Sequence, residues 1–225
     1  MTTLSNSAAR MLQQQILDGR IGSGSMLPGQ RALAASMVIS RASLREAISM
    51  LEALGMVRSQ AGKGVVVTSG RPRPWSELPA GPASIPVAEV YEYREVIEPA
   101  AAELAARRIK PRDASRLWSL HAELEQSIAA GDLVGASEAD LAFHLLLAEI
   151  CGNQPLRDAA LAFRPHLAHS LRLPFAEHTR IGETAVEHQR ITLAITAGDP
   201  PAARAAMQAH LRSSADRAGL RPGTN

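Results

Sequence analysis

Four residues in the C-terminal half of the sequence have the side chains and the spacing of a metal site. Asp140 and His144 are four residues apart, so both side chains lie on one face of a helix. His188 and His210 each share a helical stripe with apolar residues, which directs both imidazoles toward a helical interior. A single histidine on an apolar face is usually a hydrogen-bonded core residue. One carboxylate and three imidazoles that converge from three helices instead suit a divalent transition metal.

A second group of residues suits the recognition of DNA. The sequence predicts a helix over about 41–54, with apolar residues on one side and Arg41 and Arg45 on the other. Ser40 precedes this helix as an N-cap, and a short helix over 30–37 and a tight turn precede Ser40. This is the arrangement of a helix-turn-helix, in which the second helix enters the major groove. An arginine there can bind O6 and N7 of guanine with two hydrogen bonds.

A glycine-rich loop follows between two short apolar segments, and this pattern predicts a β-hairpin. Gly62, Lys63 and Gly64 would form the tip of the hairpin. As the wing of a winged helix, the tip would place Lys63 and the glycine amides next to phosphate or the minor groove. The alternative is a plain turn with a solvated lysine, but the helix-turn-helix directly upstream favours the wing.

Charge and composition divide the sequence into two domains, here called the head and the body. Residues 1–70 carry seven Lys or Arg against three Asp or Glu, and residues 88–225 carry fifteen against eighteen. A basic head on an acidic body indicates that only the head binds a polyanion. Residues 71–86 hold five prolines, which is typical of a linker. We therefore expect a DNA-binding head over 1–70, a linker over 71–87, a helical body over 88–218 and a tail over 219–225.

Beyond the linker the sequence shows helical periodicity and no convincing strand. About six amphipathic helices are predicted, of which the first contains Pro99 and the fourth starts at Asn153 and bends at Pro165. Amphipathic helices joined by short turns pack as an antiparallel bundle. The expected fold is mainly α: a winged helix-turn-helix of three helices and a β-hairpin, followed by an antiparallel bundle of six or seven helices.

Three features predict a cytoplasmic protein. The only cysteine is Cys151, so no intramolecular disulfide can form, which fits a reducing compartment. The N-terminus lacks a basic segment followed by an apolar run and a cleavage site. No stretch reaches the roughly 18 apolar residues that a membrane span needs. We expect no membrane segment.

The head resembles the GntR family of bacterial regulators. The resemblance rests on four blocks in order, namely residues 27–34 (LPGQRALA), 40–48 (SRASLREAI), 51–57 (LEALGMV) and 62–64 (GKG). One departure is Gly29-Gln30, where the family usually carries Ser-Glu or Ala-Glu before the first arginine. The resemblance implies that the residues in contact with DNA are Arg31, Ser40, Arg41, Ala42 and Arg45, with Gly62 and Lys63 at the wing tip.

The body resembles the FCD domain, which defines the FadR-like branch of that family. The matching blocks are residues 90–99 (VYEYREVIEP), 140–144 (DLAFH), 152–153 (GN), 187–188 (EH), 197–199 (AGD) and 209–211 (AHL). The resemblance implies that a divalent metal is bound by Asp140, His144, His188 and His210. Zinc is expected first, with nickel or manganese as alternatives.

The same resemblance implies an effector cavity above the metal, which holds a small organic or sugar acid. Arg94 matches an arginine that faces the effector in this domain, and a guanidinium suits a carboxylate. The alternative for Arg94 is a surface ion pair with Glu98, four residues further on. Thr184, one turn before His188, is a second candidate for the effector pocket.

These features predict a transcription regulator with no catalytic residues. We expect a homodimer that binds double-stranded DNA at an inverted-repeat operator and represses a catabolic operon until the small carboxylate binds. Two alternatives stay open, a metal-dependent enzyme that acts on a small organic acid and a sensor in which the metal itself is the signal. The first alternative leaves the basic head without a role.

Overall fold

The structure, a computed structural model of the chain, describes residues 4–68, 85–177 and 179–220. Most of the expected linker, the last five residues of the expected tail and His178 therefore lie outside the described residues. The described part contains ten α-helices and one two-stranded antiparallel sheet, which confirms the mainly α fold. None of the helices in these ranges is long and apolar enough to cross a membrane.

The head has three helices and a hairpin, as predicted. Its elements are α1 (Leu4–Leu17), α2 (Gln30–Ser36), α3 (Arg41–Ala53), β1 (Val57–Gln60) and β2 (Gly64–Val67). The two strands pair in antiparallel register, with Val57 opposite Val67. Helices α1 and α3 pack together through buried residues such as Leu12 and Leu51. Their apolar residues recur at helical spacing, so they fall on one face of each helix.

The turn between α2 and α3 is tight and strained. Val38 has a φ of 54°, a left-handed conformation that β-branched residues rarely adopt, and its side chain is 90% exposed. The predicted N-cap of α3 is confirmed, because the Ser40 hydroxyl accepts a hydrogen bond from the Ser43 amide at 3.0 Å. The start of α3 is therefore fixed by a local cap, and its first turn is presented to solvent.

In the described ranges the body is a bundle of seven helices. They are α4 (Val87–Arg108), α5 (Pro111–Ala129), α6 (Leu133–Ile150), α7 (Gln154–Ala162), α8 (Arg164–Arg172), α9 (Gly182–Thr196) and α10 (Pro200–Arg217), with a 3-10 turn (Leu173–Ala176) after α8. The prediction of one bent fourth helix is wrong, because the chain breaks at Phe163 into α7 and α8. Pro165 lies in the first turn of α8. Amides in the first turn have no partner within the helix, so the missing N–H of proline costs no hydrogen bond there. Pro99, in contrast, lies inside α4.

Helix α6 is the central helix of the body. It packs against α5, α4 and α8, and α4 packs in turn against α10 and α9. Thirteen of the eighteen residues of α6 are buried, so it is enclosed on nearly all sides. Asp140 and His144 are among the buried residues of α6, so both side chains face protein rather than water.

The head and the body share one apolar core. Leu12 of α1 belongs to the same buried cluster as Val134 of α6 and Phe175 of the 3-10 turn. Gly55, directly after α3, has a φ of 73°, and a Cβ built on it would lie 3.1 Å from the Cβ of Ala176. The head therefore packs on the body through a close backbone approach as well as through apolar side chains.

Candidate metal centre and nucleic-acid interface

The four predicted metal ligands lie together in the middle of the body. Asp140 and His144 lie one turn apart on α6, His188 lies on α9 and His210 on α10. One ligand atom from each residue can be chosen so that all four lie within 4.8 Å of one another. Asp140 Oδ1 is 3.1 Å from His188 Nε2 and 3.4 Å from His144 Nε2. All four side chains are buried.

The chemistry of these atoms fits a metal ion. Asp140 Oδ1 and the Nε2 atoms of His144, His188 and His210 are buried and make no hydrogen bond to any residue that the structure describes. Each such atom costs about 1–3 kcal/mol when it is left unsatisfied, so four at one point call for a common partner. Three imidazoles and one carboxylate are ligands that divalent zinc, nickel and manganese accept. A cation at this point would satisfy every one of these atoms.

Two carboxylates lie behind the histidines and orient them. Glu187 Oε2 is hydrogen-bonded to His210 Nδ1 at 2.8 Å. Glu98 Oε2 is 2.7 Å from His144 Nδ1, which is within ion-pair distance. A carboxylate on the far ring nitrogen leaves Nε2 for the metal, as in many metalloproteins. Both carboxylates were missed as supports in the sequence analysis.

The electrostatics keep these carboxylates charged and two of the imidazoles neutral. Burial opposes ionisation of Glu98, but Arg94 and His144 outweigh it and lower the pKa of this carboxyl to about 2. Burial likewise opposes ionisation of Glu187, whose pKa hydrogen bonds from Arg217 and His210 lower to about 2. Burial also lowers the pKa of His188, and it lowers the pKa of His210 to about 4. At His144, in contrast, burial is outweighed by Glu98 and Asp140, which raise the pKa to about 9. Neutral imidazole is the form that binds a metal, so His144 would release a proton when a metal binds.

Arg94 is buried beside the cluster rather than on the surface. Its Nε donates to Glu98 Oε1 at 2.9 Å, so the ion pair exists, but the interpretation of that pair as a surface feature is wrong. The two terminal nitrogens of Arg94 are buried and have no hydrogen-bond partner within residues 4–68, 85–177 and 179–220. The guanidinium lies over the ring of Tyr91, 4.9 Å from its centroid. Glu98 therefore joins the arginine to His144.

Thr184 lies in the same interior but already has a partner. Its hydroxyl accepts a hydrogen bond from Arg217 Nη2 at 3.2 Å. Arg217 also donates to both oxygens of Glu187 at 2.7 Å. Arg217 was not among the residues predicted for the site, although it follows His210 by seven residues and so lies on the same face of α10.

The space next to the cluster is small in this structure. A cavity of about 20 Å³ lies between Tyr93, Ile97, Glu98, His144 and Phe163. A cavity of roughly 10–15 Å³ is enough for one water molecule. The Tyr93 hydroxyl is buried and makes no hydrogen bond. The larger hollows are an open groove of 930 Å³ between the head and α6 and α8, and one of 480 Å³ between α5, α6 and α7.

The histidines outside the cluster stay apart from it. His121 is buried, lies 3.5 Å from Glu125 and makes an edge contact with Trp118. His166 stacks against Phe163, and His169 is buried. His178 lies outside the described residues. None of the three described histidines offers a ligand atom to the central group.

The residues predicted to contact DNA form an exposed, basic surface on the head. Arg41 and Arg45 lie on the exposed face of α3. Neither these two arginines nor Arg31 or Lys63 makes an ion pair with a described residue. Gly62, at the hairpin tip, has a φ of 70°, a left-handed conformation that glycine adopts without strain. The exposed set consists of Arg31, Ser40, Arg41, Ala42, Arg45, Gly62 and Lys63. Unpaired guanidinium groups are free to bind base edges or phosphates.

Two family models match the chain, one for each half. The model described as bacterial regulatory proteins of the gntR family matches residues 4–67, and the FCD domain model matches residues 89–213. The FCD match alone covers more than half of the chain. Both matches agree with the resemblance inferred from the sequence blocks.

Curated relatives are similar over nearly the whole chain. The HTH-type transcriptional regulator LutR of Bacillus subtilis is 31% identical over 89% of this chain and 94% of its own length. An Escherichia coli (strain K12) protein named as a candidate L-lactate dehydrogenase operon regulator is 30% identical over 92% and 83%. The Exu regulon transcriptional regulator of the same strain is 29% identical over 90% and 80%.

A solved structure shares the fold. The GntR protein of Streptococcus agalactiae superposes with a TM-score of 0.51 at 26% identity and covers 95% of this chain and 99% of its own. The relatives with assigned roles are transcription regulators and not enzymes, so the chain is a DNA-binding transcription regulator. It belongs to the GntR family of bacterial regulatory proteins, in the branch whose C-terminal half is an FCD domain.

Proposed function

We propose that this regulator senses a small carboxylate at a metal centre in its body and changes its operator binding in response. The observation that carries the proposal is the meeting of four buried, unsatisfied ligand atoms next to a buried arginine with two free nitrogens. Both features are costly in an empty protein core. Both are explained if the body binds a cation and an anion together.

The metal would be held by Asp140, His144, His188 and His210, with zinc as the first candidate and nickel or manganese as alternatives. When bound, it supplies a Lewis-acid centre with open positions for oxygen ligands. Glu98 and Glu187 fix the rings of His144 and His210 from behind. The chain thus provides both the ligands and the groups that orient them.

Arg94 selects a carboxylate as the effector. Its terminal nitrogens match the two oxygens of a carboxylate, and Glu98 already holds its Nε. Tyr91 and Thr184 lie in the same interior, although the hydroxyl of Thr184 is held by Arg217. The name of the L-lactate dehydrogenase operon regulator favours an organic acid such as lactate, and the resemblance to the FCD domain adds sugar acids as candidates.

The head would bind DNA as half of a homodimer on an inverted-repeat operator. In this proposal residues 1–70 bind DNA, residues 71–87 link the domains, residues 88–218 bind the ligands and residues 219–225 form a tail. Arg41 and Arg45 would contact bases, while Lys63 and Gly62 contact the backbone or minor groove. The effector would relieve repression of a catabolic operon. Since the operator lies in the bacterial cytoplasm, the protein would act there.

Metal analysis and operator binding together test the proposal. We expect purified wild type to contain about one metal ion per chain, and His188→Ala to contain almost none. The matched control is His121→Ala, a buried histidine outside the cluster, which should keep its metal. Operator affinity of the loaded wild type should change with an organic acid, whereas that of Arg94→Met should not. Equal metal content in wild type and His188→Ala would contradict the proposal.

A second candidate is a direct metal sensor, and one observation favours it. The cavity beside His144 holds only about 20 Å³, which is too small for an organic acid without rearrangement. In a direct sensor, operator affinity would follow the free Zn²⁺ concentration with no acid present. Addition of lactate or a sugar acid would then change neither operator affinity nor thermal stability.

A further inference from the structure

A glutamine of the head caps the helix that carries two of the proposed metal ligands. Gln13 lies on α1 and is 2% exposed. Its Nε2 donates to Asp132 Oδ1 at 2.7 Å, and its Oε1 accepts from the Val134 amide at 3.1 Å. The first four amides of a helix have no partner within the helix. Gln13 therefore satisfies an amide of α6 that the body itself leaves open.

The cap is completed by Asp132, which is the N-cap residue of α6. Its Oδ1 also accepts a hydrogen bond from the Gly135 amide at 2.9 Å. A Cβ built on Gly135 would lie within 3.0 Å of the Asp132 carboxylate and of Ser127 Oγ. Only glycine fits at this position while Asp132 keeps its place. The cap is thus a three-residue unit formed by Gln13, Asp132 and Gly135.

Two more side-chain contacts join the first turns of α6 to α1 of the head. Arg10 Nη2 lies 2.6 Å from Glu138 Oε2, and Asn6 Nδ2 also donates to Glu138. Asp140 follows Val134 by six residues, or about 9 Å along the helix axis. Since α6 is buried on nearly all sides, a shift of its first turns moves Asp140 and His144 with it.

The head also touches the segment that leads into α9, which carries His188. Gly55 approaches Ala176 so closely that a Cβ on it would lie 3.1 Å from the Ala176 Cβ. Ala185, in the first turns of α9, belongs to the buried cluster that includes the core of the head. The head therefore contacts α6 directly and shares one buried cluster with α9, the two helices that approach each other at Asp140 and His188.

We propose that Gln13 is a positioning residue that couples the metal centre to the head. Asp140 and His188 must approach a common point when they share an ion, which fixes the spacing of α6 and α9. Because Gln13 bonds α1 to the start of α6, a change in the position of α6 also moves α1. Helix α1 in turn packs on the DNA-contacting helix α3. The inference rests on the proposed metal site. A ligand acts on DNA binding only if it favours one arrangement of the head, and this cap provides the contact that does so.

Hydrogen exchange of the full-length protein with Zn²⁺ alone tests the coupling. In the wild type, Zn²⁺ should slow exchange of amides in α1 by about fivefold or more, the lower end of usual coupling strengths. Gln13→Met should abolish this effect on α1 and retain Zn²⁺ protection in α9. Gln14→Met is the matched control, because Gln14 is exposed and its side chain bonds to Asp18 of the head rather than to any described residue of the body. It should respond to Zn²⁺ as the wild type does.

Gly135→Ala disrupts the same cap through a residue of the body. It tests the coupling even if Gln13→Met does not fold. Its Cβ would displace the Asp132 carboxylate, so α1 should again lose its response to Zn²⁺. Zn²⁺ binding without any slowing in α1 of the wild type, or with equal slowing in the folded cap variants, would overturn the coupling alone. A wild type that binds no Zn²⁺ would overturn the proposed metal site and the coupling with it.

Discussion

His188 should have opposite effects on stability in the metal-free and the metal-loaded protein. It is fully buried, and neither of its ring nitrogens makes a hydrogen bond in the described part of the chain. His188→Leu removes both unsatisfied nitrogens but also the 3.1 Å contact of Nε2 with the Asp140 carboxylate, so the net gain for the metal-free protein is that of one unsatisfied atom, about 1–3 kcal/mol. The variant loses the stacking contact with Phe143, whose ring centroid is 4.1 Å away, at a cost of about 0.5–1.5 kcal/mol. We therefore expect the metal-free variant to lie between about 0.5 kcal/mol below and about 2.5 kcal/mol above the wild type in stability.

Zn²⁺ should make the wild type the more stable of the two proteins. At 100 times its dissociation constant Zn²⁺ stabilises the wild type by about 2.7 kcal/mol. At about 2–4 °C per kcal/mol for a chain of this size, the melting temperature rises by about 5–11 °C. His188→Leu lacks one ligand and should show almost no shift.

Thermal and urea denaturation in EDTA and in Zn²⁺ measure both effects. His121→Leu is the control for the metal response, because His121 is buried but lies outside the cluster. It should retain the full Zn²⁺ shift. A His188→Leu protein that is clearly less stable than the wild type in EDTA would refute the reasoning about unsatisfied atoms. A Zn²⁺ shift equal to that of the wild type would refute the role of His188 as a ligand.

Three further predictions concern the head and the effector site. Arg41→Ala and Arg45→Ala should each weaken operator binding by about 1–3 kcal/mol in a fluorescence-anisotropy titration, whereas Arg212→Ala, an exposed arginine of the body, should leave it unchanged. Equal losses on operator and random DNA would argue against base contacts. Val38→Gly should raise the free energy of unfolding by about 0.5–1 kcal/mol in urea, because glycine removes the left-handed strain, and a loss of stability would contradict this. Arg94→Met should bind operator as the wild type does without acid but lose the response to an organic acid, and a retained response would exclude Arg94 as the carboxylate contact.

Local signals in the sequence were sufficient for most of the fold. Ser40 caps α3 as predicted, because a hydroxyl and an amide three residues apart need no distant partner. Asn153 likewise caps α7. Helical spacing alone put Asp140 and His144 on one face. The division of the predicted fourth helix was missed because Pro165 is compatible with both a bend and a fresh helix start.

The residues that hold the proposed metal ligands in place do so through contacts between distant parts of the chain. The spacing of residue types along the sequence does not reveal such contacts. Glu98 meets His144 and Gln13 meets Val134 across 46 and 121 residues respectively. Arg94 was open to interpretation as a surface residue because periodicity gives the direction of a side chain but not the depth of the helix. Helix α4 is covered by α6, α9 and α10, so one of its polar faces is also inside.

The Zn²⁺ X-ray absorption spectrum of the loaded protein tests the central claim most directly. We predict three imidazole nitrogens at about 2.0–2.1 Å together with oxygen ligands, and no sulfur. A spectrum with one imidazole or none, or with a sulfur ligand, would contradict a metal centre formed by Asp140, His144, His188 and His210.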